Sequence, residues 1–134
     1  MLHRVSSFIG EQHRSPQRDP VKTMNQILIN ALHVMQEDIH ETAKSKGWWD
    51  NPREDGTLIA LMHSELSEAL EAARHGNPPD DKIPEFNGVE AELADVIIRI
   101  LDFAGGRGHR VIEAVVAKIE MNKTREKMHG GKKF

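Results

Sequence analysis

The sequence predicts an all-α protein built from four helices. Apolar residues recur at intervals of three and four along four segments, which is the spacing of one face of an α-helix. No segment shows the sustained apolar–polar alternation of a half-buried β-strand. Two breaker sequences, HGNPPDDKIP and GGRG, separate the later segments. Because short connections favour antiparallel neighbours, we expect a four-helix, bundle-like arrangement.

The chain is predicted to divide into a tail and one helical domain. Residues 1–20 are polar and irregular, so we expect a mobile N-terminal tail there. Residues 21–134 are predicted to form a single helical domain that ends in a basic C-terminal tail. A chain of 134 residues buries a smaller share of its surface than a larger domain does. Pairing with another chain would therefore help it fold.

The first helix carries clear start and stop signals. Asp19 is a capping residue and Pro20 suits the first helical position, so a helix is predicted over about 21–46. Gly47 is a plausible C-terminal stop. The apolar stripe of this helix comprises Met24, Ile27, Leu28, Ala31, Met35 and Ile39.

Three further helices follow from the same periodicity. The second begins after residue 52 and ends near residue 74, and the third covers about 85–104 and is ended by GGRG. The fourth covers about 109–128 and runs into a loose GGKKF end. The stripes expected to face the core are Leu58, Met62, Leu66, Ala69 and Ala73 in the second helix, Val89, Leu93, Val96, Ile97, Ile100 and Phe103 in the third, and Ile112, Val115, Val116 and Ile119 in the fourth.

Composition excludes several classes of protein. The chain has 18 basic and 21 acidic residues and a net charge of −3, which argues against a general nucleic-acid surface. It has no cysteine, so neither a disulfide framework nor a thiolate metal site is expected. Neither a membrane-spanning run nor a signal-peptide core is recognisable. We therefore expect a cytoplasmic protein with neither a nucleic acid nor a membrane as partner.

Two pairs of acids lie at the margins of the second and third apolar stripes. ExxE supplies Glu65 and Glu68, and ExxD supplies Glu92 and Asp95. If the loop folds the two helices together, four carboxylates meet at one seam, where they repel one another unless cations neutralise them. Hard cations prefer oxygen ligands, so Mg²⁺, or Mn²⁺ as a substitute, fits this set better than zinc. A single such pair is more typical of a solvated helix face than of a metal site.

A cationic stripe follows the apolar stripe of the fourth helix. Lys118, Asn122 and Arg125 are separated by four and three residues and share one face. Together with a metal ion, such residues bind a polyphosphate. The alternative is that basic residues late in a helix favour its negative end.

The two tryptophans are a further candidate for binding. Trp48 or Trp49 could stack on a nucleobase, since aromatic faces bind bases with little discrimination. Alternatively, one or both seal the end of the bundle. On the third helix, Arg99 and Asp102 share a margin with Asp95, which leaves open an Asp95–Arg99 ion pair.

At these residues the sequence resembles the MazG-type, all-α nucleoside triphosphate pyrophosphohydrolases, a superfamily that includes the dimeric dUTPases. The resemblance covers about residues 22–133 and is carried by SELSEALEAARHG, VEAELADVIIRILDFA and KIEMNKTREKMHGGKKF, with KGWWD between the first two helices. It rests above all on ExxE followed by ExxD.

The resemblance implies a concrete activity. Members of the family hydrolyse a nucleoside triphosphate to the monophosphate and pyrophosphate, with Mg²⁺ held by the four carboxylates. It also implies a MazG fold completed by oligomerisation, as a homodimer or tetramer, and a role in removing unwanted nucleotides. The resemblance further implies a composite site, in which the basic C-terminal residues act on the nucleotide of a neighbouring copy.

Two alternatives remain at this point. A helical module could bind a nucleotide or a protein without turnover. A di-iron carboxylate bundle uses two ExxH motifs, and EDIH at 37–40 and EKMH at 126–129 match that pattern. The di-iron hypothesis leaves the paired ExxE and ExxD motifs unexplained.

Overall fold

The computed structural model describes residues 17–126, and within them all regular structure is helical. The four helices are α1 (Pro20–Ser45), α2 (Asp55–Arg74), α3 (Gly88–Arg107) and α4 (Val111–Lys123). The prediction of an all-α chain with four helices is confirmed. Most of the predicted N-terminal tail, and the basic tail from residue 127 onward, lie outside the described residues.

The start and end of α1 follow the sequence signals. The side chain of Asp19 accepts a hydrogen bond of 3.0 Å from the backbone N–H of Val21, and Pro20 is the first helical residue. Gly47 follows the helix with a φ of +85°, a conformation that favours glycine.

The third helix starts later than predicted because of its capping residues. Asn87 accepts a hydrogen bond from the backbone N–H of Glu90, and the Glu90 side chain accepts one from the backbone N–H of Asn87. This reciprocal capping box satisfies two backbone donors that have no partner inside the helix. It places the helix start at Gly88 rather than at residue 85.

The third helix also ends later than predicted. Gly105 and Gly106 lie inside α3, and the helix ends only where Gly108 adopts a φ of +70°. A Cβ atom on Gly106 would lie 2.2 Å from the ring of Trp49. Glycine is therefore present for close packing, and GGRG does not act as a helix breaker at its first two residues.

The fourth helix is shorter than predicted. It ends at Lys123 rather than near residue 128. The hydroxyl of Thr124 donates a 2.7 Å hydrogen bond to the carbonyl of Met121, a local bond that competes with continuation of a helix. Arg125 therefore lies beyond the helix end.

The helices pack in a chain of pairs with α3 at the centre. The largest interface joins α2 and α3, α1 also packs on α3, and α4 packs against α1. Small side chains let the central helices approach closely. The buried apolar residues are Leu58, Ala69, Ala91, Leu101, Ala104 and Ile112.

Much of the predicted apolar stripe surface is exposed. On α1, Met24 is 64% exposed and Ile27 is 58% exposed, so the expectation that this stripe faces the core is wrong for the single chain. The face of α1 that meets α3 includes polar side chains. Gln36 is buried there and donates a 3.0 Å hydrogen bond to the carbonyl of Leu101. Among the described helices, none is both long and apolar enough to cross a membrane.

Candidate metal centre

Three of the four predicted acids meet where α2 packs on α3. Glu65, Glu68 and Glu92 each offer a carboxylate oxygen, and these three oxygens all lie within 4.8 Å of one another. Oxygen ligands about 2.1 Å from one Mg²⁺ are at most about 4.2 Å apart. Small rotations of the side chains would therefore place all three on one ion. We call these three residues the acidic cluster.

Glu65 lies deeper than its sequence position suggested. It was expected at the edge of the apolar stripe, but it is buried, with 6% of its surface exposed. It follows Leu58 by seven residues and precedes Ala69 by four, so it shares the helix face that packs on α3. Leu66, expected inside, is 45% exposed.

Asp95 stands beside the acidic cluster without joining it. It lies one turn after Glu92 on α3, but its carboxylate is not among the three mutually close groups. Burial and the negative charge of Glu65 raise its pKa, and the charge of Arg99 opposes them. The structure thus groups three of the predicted ligands and puts the fourth next to them.

Glu92 shows how crowded the negative charge is. Burial raises its pKa from an ordinary value of 4.5 to about 7, helped by a hydrogen bond to Glu65 and by the charges of Glu68, Glu65 and Asp95. A bound cation would favour the ionised form of all these groups. The donors are carboxylate oxygens, which suits Mg²⁺ or Mn²⁺. The residues present therefore fit such an ion.

Arg99 is paired with Glu65. Its Nε donates a 2.5 Å hydrogen bond to Oε1 of Glu65, and its Nη2 contacts the same oxygen. The Asp95–Arg99 ion pair that the sequence left open is thus replaced by a pair across the α2–α3 seam. Sequence spacing suggested the pair within one helix, whereas packing of α2 on α3 brings the buried Glu65 to the guanidinium.

A cavity of about 380 Å³ adjoins the acidic cluster. It lies among α1, the α1–α2 loop, α2 and α3, and we call it the Trp48 cavity. Apolar side chains form much of its wall, while its charged lining comes from both acids and bases. Its lining includes Trp48, Arg53, Asp95 and Arg99.

The ring of Trp48 is flanked by two arginines. The guanidinium carbons of Arg53 and Arg99 lie 5.2 and 5.8 Å from the ring centroid, within cation–π distance. Trp48 itself is 49% exposed. Arg53 was not selected from the sequence, because a single arginine in a loop carries no periodic signal and only the fold shows its contact with Trp48.

Trp49 has a different environment from its neighbour. Its Nε1 donates a 2.9 Å hydrogen bond to Asp102, and Nδ1 of His40 lies 2.7 Å from the same carboxylate oxygen. Its ring also packs on Gly106. These contacts join the α1–α2 loop to α1 and α3, so the structure favours the sealing role for Trp49.

The cationic stripe of α4 lies apart from the acidic cluster. Lys118 and Asn122 lie on α4, which packs on α1, whereas Arg125 follows the helix end and does not share their helical face as predicted; all three are exposed. Within residues 17–126, none of the three forms a hydrogen bond or ion pair with the four acids. The contribution of a neighbouring copy, which the resemblance implies for the basic C-terminal residues, stays a prediction.

The described residues give little support to a di-iron site. The three acids that approach one another include no histidine. His40, from the first ExxH motif, is engaged with Asp102. His129, from the second, lies outside the described residues.

Comparisons with known proteins add no relative. No protein-family model matches the chain. No curated protein and no solved structure matches it either. The similarity to MazG-type enzymes therefore rests on the motifs themselves.

Proposed function

We propose that this chain is a Mg²⁺-dependent nucleoside triphosphate pyrophosphohydrolase of the MazG type. It would convert a ribo- or deoxyribonucleoside triphosphate to the monophosphate and pyrophosphate. The observation that carries the proposal is the meeting of Glu65, Glu68 and Glu92 at a helix seam beside the Trp48 cavity. Acids for a cation and an aromatic-lined cavity for a base are then adjacent.

In this proposal the acids hold the metal and the attacking water. Bound Mg²⁺ would neutralise phosphate charge and lower the pKa of a water molecule. Glu65, Glu68 and Glu92 hold the ion, and Asp95 lies beside them at the cavity. Glu68 is exposed at the edge of the cluster, where its second oxygen can orient water for in-line attack.

The Trp48 cavity would bind the nucleoside. Its volume of about 380 Å³ falls within the range of small-molecule sites. Trp48 offers a face for stacking on the base. Arg53 adds positive charge near the same ring, suited to the sugar–phosphate side of the ligand.

The proposal includes a homodimer or a tetramer. Uncovered apolar side chains on every helix support it, because a single chain leaves them facing water. In such an assembly Lys118, Asn122 and Arg125 of one copy would bind the phosphates held by another. The exposed apolar residues concerned include Met24, Ile27, Leu28, Leu66, Leu70, Leu93, Ile97, Val115 and Ile119. We infer a cytoplasmic role in clearing unwanted nucleotides from the pool.

One observation favours the alternative, a module that binds a nucleotide or a protein without turnover. Glu65 is already paired with Arg99, so one of the metal-binding carboxylates is engaged. If that pair persisted, the remaining acids would hold a cation less firmly. Binding of nucleotide in Mg²⁺ without product formation would support this alternative.

A product assay tests the proposal. Purified protein is mixed with a panel of ribo- and deoxyribonucleoside triphosphates in Mg²⁺ and then in Mn²⁺, and the products are separated by chromatography. Monophosphate and pyrophosphate are the expected products. Diphosphate with orthophosphate would contradict the position of cleavage, and no turnover with any nucleotide would contradict the enzyme.

A further inference from the structure

Arg99 lies where the acidic cluster meets the Trp48 cavity. It follows Glu92 by seven residues and Asp95 by four, so all three share one face of α3. Two nitrogens of its guanidinium contact Oε1 of Glu65, and its guanidinium carbon is 5.8 Å from the Trp48 ring. The same group therefore contacts both parts of the proposed site.

The pair with Glu65 compensates a buried charge. The Glu65 side chain is only 8% exposed, and an unpaired carboxylate in such a place is costly. Arg99 is 29% exposed and reaches this carboxylate from the cavity side. Arg99 thus supplies positive charge where a metal ion would otherwise supply it.

We propose that Arg99 is a placeholder cation: a divalent ion displaces it from Glu65, and the freed guanidinium then binds the phosphate chain of the ligand in the Trp48 cavity. The phosphate part of this statement rests on the proposed function. The displacement part rests only on the metal site of that proposal and not on its substrate or turnover.

The physical reason for displacement is competition for one carboxylate. A divalent ion on the acidic cluster and a guanidinium on Glu65 would be two positive groups a few ångströms apart in a partly buried site. They repel each other, and the ion has Glu68 and Glu92 as additional ligands while Arg99 has none of these. The ion therefore prevails.

The freed guanidinium has a suitable place to go. It already lies beside the face of Trp48, so a rotation of the side chain keeps it in the cavity. Its planar set of N–H donors matches phosphate oxygens in a two-bonded arrangement. If Arg99 instead stayed on Glu65, and holding this carboxylate in position favoured the ion by more than the charge of Arg99 repels it, loss of Arg99 would weaken metal binding. The two arrangements therefore predict opposite changes in metal affinity when Arg99 is replaced.

Mn²⁺ binding by the protein alone, followed by electron paramagnetic resonance, tests the displacement. We expect Arg99→Gln to bind Mn²⁺ about tenfold more tightly than the original chain, because a charge-assisted bond no longer competes. Arg99→Lys, which keeps the charge, is expected to lie between them. Equal or weaker binding in Arg99→Gln would overturn the proposal.

Arg107→Gln is a closely matched control. Arg107 lies on the same helix, pairs with Asp55 of α2 at 2.7 Å, and has its guanidinium carbon 5.3 Å from the Trp49 ring. Its side chain is 30% exposed, and that of Arg99 is 29% exposed. Arg107→Gln should leave Mn²⁺ affinity unchanged. Thermal unfolding of each variant without metal verifies that the fold persists.

Binding of inorganic triphosphate tests the second part of the proposal, that the freed guanidinium of Arg99 binds the phosphate chain. In saturating Mn²⁺, we expect Arg99→Gln to bind it about tenfold more weakly than the original chain, and Arg107→Gln to bind it equally well. Unchanged affinity in Arg99→Gln would overturn phosphate binding by Arg99.

The proposal and the enzymatic activity can fail separately. Tighter Mn²⁺ binding by Arg99→Gln in a chain that hydrolyses no nucleotide would support displacement and refute the enzyme. Normal hydrolysis by the original chain together with weaker Mn²⁺ binding by Arg99→Gln would support the enzyme and refute displacement.

Discussion

The ring of Trp49 lies directly on the backbone of Gly106. A Cβ atom at this glycine would come within 2.2, 2.5 and 2.8 Å of three carbon atoms of the indole. The indole Nε1 is held by Asp102, one turn earlier on the same helix. Because the ring is fixed by a hydrogen bond and by packing, it cannot easily move away from an added methyl group.

Gly106→Ala is therefore expected to destabilise the fold by about 3 kcal/mol, the upper end of the usual cost of overpacking. In an unconstrained helix the same change would stabilise by about 1 kcal/mol. Denaturant unfolding measures the difference.

Gly56→Ala is the control for this prediction. Gly56 also lies within a helix, but a Cβ there would have no atom within 4 Å. Its substitution should be neutral or slightly stabilising. A similar loss in both variants would show that helix context, and not contact with Trp49, determines the cost.

The same contact shows what the sequence could and could not reveal about the helices. Gly105 and Gly106 were interpreted as a helix stop, since glycine is the usual residue after a helix end. Only the approach of Trp49, 57 residues away from Gly106, explains why they lie inside α3. Local signals such as the Asp19 cap predicted a helix start correctly, because their partners are neighbours in sequence.

For the candidate site, periodicity predicted which acids share a seam but not their depth or partners. ExxE and ExxD spacing places Glu65, Glu68 and Glu92 on facing helices, and the structure brings them together. The burial of Glu65 and its pair with Arg99 depend on how α2 is rotated against α3. Sequence spacing carries no information on that rotation.

Glu92 should make the stability of the metal-free protein depend on pH. Its pKa is raised from 4.5 to about 7 in the folded state, so between these values the folded protein holds a proton that the unfolded chain releases. Stability from this group is fully present below about pH 4.5 and is lost as the pH rises to about 7. The pKa values of Asp80 and Glu113 are lowered in the folded state from their ordinary values of 3.8 and 4.5. The stability that these two carboxyl groups contribute is therefore lost only as the pH falls below those values.

Comparison with Glu92→Gln isolates this contribution. Urea unfolding of both proteins at pH 5, 6, 7 and 8, about the window set by the shift, should show a decline in the original chain that is much reduced in the variant. Mg²⁺ should stabilise the original chain more at pH 8 than at pH 5, because the ion binds the ionised carboxyl. Parallel pH profiles would contradict the raised pKa.

Glu68→Gln and Asp95→Asn are expected to abolish turnover, with a loss larger than the tenfold to 100-fold typical of supporting residues around a metal. Helical content should be unchanged, because both side chains are exposed. Steady-state kinetics and circular dichroism provide the two measurements. Glu71→Gln is the control, since Glu71 lies on the same helix as Glu68, pairs with Arg74 and is not one of the three mutually close acids. Full activity in either test variant would remove that residue from the metal site.

The two tryptophans should respond to substitution in different ways. Trp48→Ala removes a half-exposed ring from the cavity, so we expect KM to rise by roughly tenfold or more, the value of one stacked base, with little loss of stability. Trp49→Ala should lower stability by about 2 kcal/mol or more, because it removes a packed ring and its bond to Asp102. Kinetics and urea unfolding of both variants separate binding from folding. A rise in KM without loss of stability in Trp49→Ala would reverse the assignment.

Mixing two inactive variants tests whether the cationic stripe of α4 acts on a neighbouring copy. Arg125 is exposed and forms no ion pair with the acids within the described part of the chain, and the proposed function assigns its phosphate contact to a second copy. Arg125→Ala and Glu68→Gln should each be impaired alone, yet unfolding and refolding them together should restore part of the activity. Restoration follows because a mixed dimer contains one site with both original residues.

Glu68→Gln and Asp95→Asn form the control pair. Both residues belong to the acids that one chain contributes to a site, so every site in their mixed dimer lacks one of them and mixing should restore nothing. If neither mixture regains activity while size-exclusion chromatography shows an oligomer, Arg125 does not complete a neighbour's site.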